Sequence, residues 1–203
     1  MARKKVKFTK GELKKQRDAR ERFERYLPTL QLKQQQLQME VRRIDALLYK
    51  KEVEIERVKE DMDSWVGILG YTDFDLSPWV RPKEAKTRTE NIAGVTIPVL
   101  DRVEFAPVDY DLYSTPLWAD LAVEKIRKLS ELLTEVEILR EQYRLLNREL
   151  RITMQRVNLF EKVMIPEARE NIRIIRIYLG DQDTNAVCRS KIAKRKIETA
   201  QAA

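Results

Sequence analysis

The chain has 203 residues, 36% of them charged, with 5 glycines, one cysteine, no histidine and a formal net charge of +7. Without histidine, and with a lone cysteine, the commonest general base, the usual transition-metal ligand sets and any intrachain disulfide are excluded. The 43% apolar share is too high for a disordered chain, and the wealth of Glu, Lys, Arg, Leu and Gln is the mixture of long, exposed helices.

The opening Met1–Leu13 stretch has charges but no apolar run behind them, so it does not read as a secretory signal. No apolar run approaches the roughly 18 residues of a membrane span, and a soluble, cytoplasmic protein is expected. From Leu13 a three-four spacing runs to Trp65. One register holds Leu13, Leu27, Val41, Leu48, Ile55 and Met62; the other holds Phe23, Leu30, Leu37, Ile44, Val58 and Trp65. Both step by seven, the pattern of a coiled-coil seam. Arg20, Gln34 and Lys51 interrupt it, and the polar run Gln34–Gln36 predicts a loose stretch. Such a helix would extend roughly 80 Å. Pro28 predicts a break or kink near Arg25–Leu27, and the in-phase resumption favours a kink.

Residues 67–115 change character, gathering Gly67, Gly70, Pro78, Trp79, Pro82, Gly94, Pro98 and Pro107. Gly94–Leu100 and Arg102–Phe105 alternate as short strands do, with Pro98 confining the first to an edge. A second heptad pattern follows Pro116, itself suited to a first helical position behind Ser114 or Thr115. Leu129, Val136, Tyr143, Leu150, Val157 and Met164 form one register. Leu132, Leu139, Leu146 and Phe160 form the other, with Thr153 as its polar exception. The pattern continues to Ile172, Ile175 and Tyr178, Pro166 is a second kink position, and Gly180 is read as capping or interrupting the helix. Two helices joined by a small insert bury their seams against each other only when antiparallel. The expected fold is therefore all-α: a long antiparallel two-helix coiled coil, with a hairpin-containing insert capping one end. The segments are 1–66 (first helix), 67–115 (insert) and 116–203 (second helix and basic tail).

Sites of chemistry are not found. None of the five glycines forms a phosphate-cradling loop, and no Gly-Lys-Ser or Gly-Lys-Thr occurs. The pairs Asp61/Asp63, Asp73/Asp75 and Asp109/Asp111 lack a glycine-centred calcium loop and read as solvated carboxylates. Cys188 reads as a small apolar residue near a helix end. No catalytic residue, cofactor or metal is expected. Basic residues gather at both ends: Arg3, Lys4, Lys5, Lys7, Lys10, Lys14 and Lys15, then Arg189, Lys191, Lys194, Arg195 and Lys196. Antiparallel pairing brings the two groups to one tip, either as a frayed solvated end or as a contact for an acidic surface or polyanion. Only Phe8 lies among these charges, so base stacking has little support. Trp65 and Trp118 read as packed, and Trp79, between Pro78 and Arg81, as the tryptophan most open to a partner.

Three stretches, in order, resemble the D subunit, which is the central rotor shaft of V-type ATPases. They are Val6-Lys-Phe-Thr-Lys-Gly-Glu-Leu13, Asn91-Ile-Ala-Gly-Val-Thr-Ile-Pro98, and the strongest, Arg156-Val-Asn-Leu-Phe-Glu-Lys-Val-Met-Ile-Pro-Glu-Ala-Arg-Glu-Asn-Ile172. Pro28 and the segment Gly180–Val187 depart from the family pattern. The resemblance implies a non-catalytic shaft turned inside a ring of catalytic A and non-catalytic B subunits. A small F subunit would bind along it, and the C subunit (named d in eukaryotes) would link it to the membrane ion-translocating ring. It implies a protein peripheral to the membrane, with no nucleic acid bound and no membrane insertion. The ring-contact tip is assigned to Lys5, Lys7, Lys10, Arg189, Lys191, Lys194, Arg195 and Lys196. Partner contacts are assigned to Met62, Trp65, Trp79, Trp118 and Leu121, with the small subunit on the insert-proximal half. The F-type gamma subunit is a weaker match, because its α/β domain needs more than the roughly fifty residues of this insert. A prefoldin-like chaperone or scaffold is the alternative from another class, and a basic nucleic-acid-binding coiled coil is a third.

Overall fold

The computed structural model describes residues 6–67, 76–107 and 115–201. Arg3, Lys4, Lys5, Gly70, Asp73, Asp75, Asp109, Asp111 and Ser114 lie outside these. Helix α1 spans Lys10–Asp63, a short helix α2 spans Ser77–Val80, and strands β1 (Pro82–Ile92) and β2 (Val95–Phe105) follow. Helix α3 covers Ala119–Leu159, a π-helical turn covers Phe160–Met164, and α4 runs Ile165–Gln201. Helices thus dominate and a two-stranded sheet is the insert, as the heptads and the alternating stretch predict.

The chain divides into two units, Met1–Leu32 with Thr153–Ala203, and Lys33–Ile152. In the first, Phe8 meets Tyr178 with ring centroids 4.9 Å apart, and Phe23 meets Phe160 at 5.2 Å. As one number rises the other falls, so the helical segments are antiparallel. Arg169 Nη2 donates to Glu24 Oε1 at 3.0 Å in the same sense. The row Ile165, Ala168, Ile172 and Ile175 is buried. Thr153 is 1% exposed and its hydroxyl has no partner. A hydroxyl buried unbonded costs about 1–3 kcal/mol. Thr153→Val, with the same outline, is expected to raise the unfolding midpoint by about 2–4 °C, read by thermal circular dichroism.

In the second unit, Lys33 pairs with Glu149, Lys51 with Glu135 and Lys125 with Asp61, again antiparallel. Its core has three parts along the helices. Ile55, Val58, Met62, Leu132 and Val136 form one, Leu37, Ile44, Ile97 and Leu146 another, and Leu76, Ala119, Ala122 and Val123 a third. Most of the helical members sit on the predicted seam.

Several details differ from expectation. α1 runs unbroken through Pro28, which excludes the break but not the kink that the in-phase resumption favours; a proline costs an interior helix about 3 kcal/mol, and a helix this long, packed on a seam, withstands it. Pro166 is accommodated by the π turn before it, where the Ile165 N–H donates to the Phe160 carbonyl, five residues back. That wider turn is a known means of absorbing irregularity in a helix. Gly180 neither caps nor breaks α4, which continues to Gln201; a single helical glycine costs only about 1 kcal/mol. Pro116 is not the first helical residue. It lies in a turn in which Ala119 N–H reaches the Pro116 carbonyl at 3.0 Å, and α3 starts at Ala119. At the other end of the chain, Thr9 Oγ1 accepts from the Glu12 N–H at 3.2 Å and caps α1, a Thr-x-x-Glu signal that heptad counting alone does not bring out.

The stretches Gly94–Leu100 and Arg102–Phe105 are not two strands but one, β2. Its partner β1 pairs antiparallel across the Ala93-Gly94 turn, with Ile92 opposite Val95 and Thr89 opposite Pro98. Both turn residues have positive φ, 51° and 81°, which suits a tight two-residue hairpin and calls for glycine at the second position. In a two-stranded ribbon each strand is an edge, so Pro98 is tolerated. Ile92, Val95, Ile97 and Val99 pack toward Leu37, Ile44 and Leu146. The hairpin therefore folds back over the helix pair of its unit, where a cap on the end was expected. The apolar side of β2 finds its cover on the helices.

Candidate interaction surfaces

The basic residues assigned to the ring contact are solvent-facing wherever they are described. Lys7 and Lys10 are exposed near the start of α1, and Arg189, Lys191, Lys194, Arg195 and Lys196 are exposed on α4. They do not share one tip among the described residues. Phe8 is level with Tyr178, whereas Arg189 lies eleven residues further along α4, about 16 Å at the helical rise. Every described residue from Asp181 to Gln201 is exposed, so this part of α4 projects beyond its helical neighbour. Lys194 reaches Glu198 at 3.7 Å, and Arg189 Nε donates to the Asn185 carbonyl. Such exposed pairs hold little energy, leaving the cations free to meet outside charge. Val187, Ile192 and Ile197 are more than half exposed here, and Cys188 is exposed beside them.

The five assigned partner-contact residues gather at the end of the second unit. Met62 is a core residue at 9% exposure, and Trp65 packs between two core clusters. Trp79 and Trp118 are half-buried against Leu76, Ala119, Ala122 and Val123. Leu121 presents an open side chain, 53% exposed, with Leu117 fully exposed one turn before it. Sequence reading missed Leu117 because it precedes the heptad pattern. Arg127 orders this region: its Nε donates to the Trp79 carbonyl at 2.9 Å, its Nη2 to the Ala106 carbonyl, and its guanidinium lies 5.2 Å from the Phe105 ring centroid.

Two of the seam interruptions, Lys51 and Arg20, are paired. Lys51 Nζ sits 2.9 Å from Glu135 and 3.5 Å from Glu54, and the Glu135 bond raises its pKa above the ordinary lysine value. Arg20 lies 3.3 Å from Glu24, and the Arg169 bond, with the Arg20 charge, holds the Glu24 carboxyl below its usual range. Both shifts mark ion pairs. Among the described residues no cluster of His, Cys, Asp or Glu is able to hold a metal ion. No described helix is long and apolar enough to cross a membrane.

A family model for the D subunit of ATP synthase matches residues 12–195. The chain is 47% identical to the V-type ATP synthase D subunit of Borreliella burgdorferi, over 95% of both chains. It is 32% identical to the protein of that name in Chlamydia pneumoniae, over 97% of this chain and 95% of the relative. The corresponding Chlamydia muridarum protein is 32% identical over 95% and 96%.

Proposed function

The chain belongs to the family of the ATP synthase D subunit, and from that premise we propose that it is the central stalk of a V-type ATP synthase, carrying torque between the nucleotide-binding ring and the membrane ring. The family match along residues 12–195 carries this reading. The paired helices suit it physically: two antiparallel helices locked by seam residues and cross-helix ion pairs resist twisting with little bulk. In this reading the chain performs no chemistry. It borrows the free energy of ATP from the catalytic A subunits, stands within their ring with the B subunits, and is joined by the small F subunit and by the C subunit. No observation favours the prefoldin-like alternative.

The exposed stretch of α4 is the part proposed to stand in the ring, where Arg189, Lys191, Lys194, Arg195 and Lys196 would follow acidic surfaces through shallow, screened attraction. The insert end, with Leu117 and Leu121, is proposed to face the membrane-side partners. Replacing Lys191, Lys194, Arg195 and Lys196 together by Gln is expected to lower ATP turnover by the assembled complex severalfold, or to weaken retention of the chain in it. Turnover and assembly at wild-type levels would show the tail to be inert. Capture of the tagged chain should recover large nucleotide-binding subunits and a small partner; their absence would sink the stalk reading.

A further inference from the structure

We propose that the β-hairpin is a splint, laid lengthwise on the helix pair to stiffen the stretch where its seam is weakest. The placement is fixed at three levels. At the base, Arg127 binds the backbone on both sides of the hairpin, at Trp79 before β1 and Ala106 after β2. Midway, Gln142, a buried polar residue at 6% exposure, donates its Nε2 to the Pro98 carbonyl. At the tip, Gly94 lies against Lys33, whose Nζ is held 2.8 Å from Glu149. Arg127 to Glu149 is about 33 Å of helix at 1.5 Å per residue, and the eleven residues of β2 span about 36 Å. The lengths agree, so the strand runs alongside α3.

The position answers a weakness in α1. Gln34–Gln36 leaves the seam polar just where the hairpin tip arrives. Here Leu37, Ile44 and Leu146 share one cluster with Ile97 of β2, and Leu37 and Leu146 are both 0% exposed, beneath an Ile97 at 2%. The neighbouring cluster of Ile55, Val58, Met62, Leu132 and Val136 includes no hairpin residue and stays between 3% and 9% exposed. A third layer thus closes the flank over Leu37 and Leu146. β1, the outer strand, is exposed along nearly its whole length, and Lys83, Lys86 and Arg88 guard it against strand addition.

The test is amide hydrogen exchange on the full chain alone. In Ile97→Thr the hairpin loses its anchor while keeping strand preference. Exchange over residues 37–48 and 139–150 is expected to quicken by about tenfold or more, while residues 55–62 and 126–136 stay near wild-type rates. Quickening confined to the hairpin, or spread evenly over both regions, would overturn the proposal. Should Ile97→Thr lose its helical circular dichroism, Gln142→Met, which drops only the bond to Pro98, decides by the same outcomes at smaller amplitude. The use of such stiffness rests on the stalk reading, but this measurement does not, so the two fail separately.

Discussion

Replacing Leu146 by Ala is expected to destabilise the chain by about 2–5 kcal/mol, a fall in unfolding midpoint of roughly 5–15 °C for a protein of this size. Leu146 is fully buried where three elements meet, touching the cluster of Leu37, Ile44 and Ile97. The side chain lost takes with it the support of both the α1 seam and the hairpin. The hole cannot close easily, because the hairpin is held from moving inward by Arg127 and Gln142. Thermal unfolding followed at 222 nm measures the shift. A midpoint within about 2 °C of wild type, less than 1 kcal/mol, would mean that the layer over Leu146 is not closed in solution.

Ile175→Ala is the corresponding change in the other unit, with an expected loss of similar size, about 2–5 kcal/mol. Ile175 is 0% exposed in a unit whose described residues include no strand. It lies on α4 in the buried row with Ala168 and Ile172. The tilted pair of Phe8 and Tyr178 closes the neighbouring turn. Limited proteolysis should find new cleavage in residues 10–25 and 165–180 of the variant, with fragments from 126–146 unchanged. Unaltered proteolysis and stability would show that α1 does not cover Ile175 in solution.

The helices were legible because burying a seam demands a period near 3.5, and no other arrangement of Leu, Ile and Val leaves that trace. The registers through Leu37, Ile44, Ile55 and Met62, and through Leu132, Val136 and Leu146, are buried as read. β1 was not legible. Its sequence, Pro-Lys-Glu-Ala-Lys-Thr-Arg-Thr-Glu-Asn-Ile, is exposed at most positions, so it carries no alternation to detect, and only its pairing with β2 makes it a strand. The hairpin's docking was equally hidden, since Gln142 gives no sign in one dimension that its amide serves a strand carbonyl. Among the proposed contact residues, charge identified which positions stay in solvent. Aromatic character did not separate packed tryptophans from open surface, and the open pair proves to be Leu117 and Leu121. The supposed meeting of the basic ends failed for a matter of length: α4 continues well past the place where α1 begins.

The π turn at Phe160–Met164 has a consequence for which deletions the fold can absorb. Upstream, Thr153 and Val157 are buried at heptad positions whose continuation would be 160, 164, 167 and 171; the buried residues are instead Ile165, Ala168, Ile172 and Ile175. The count has slipped by one, and the five-residue hydrogen bond takes up the surplus residue. Removing any one residue from this turn would leave an ordinary α-helix with its apolar row in a single phase. The same deletion a few turns away would swing everything downstream by about 100° and carry Ile172 and Ile175 into water. A chain of this family that is one residue shorter at this point would therefore keep its seam, and lose only the bulge.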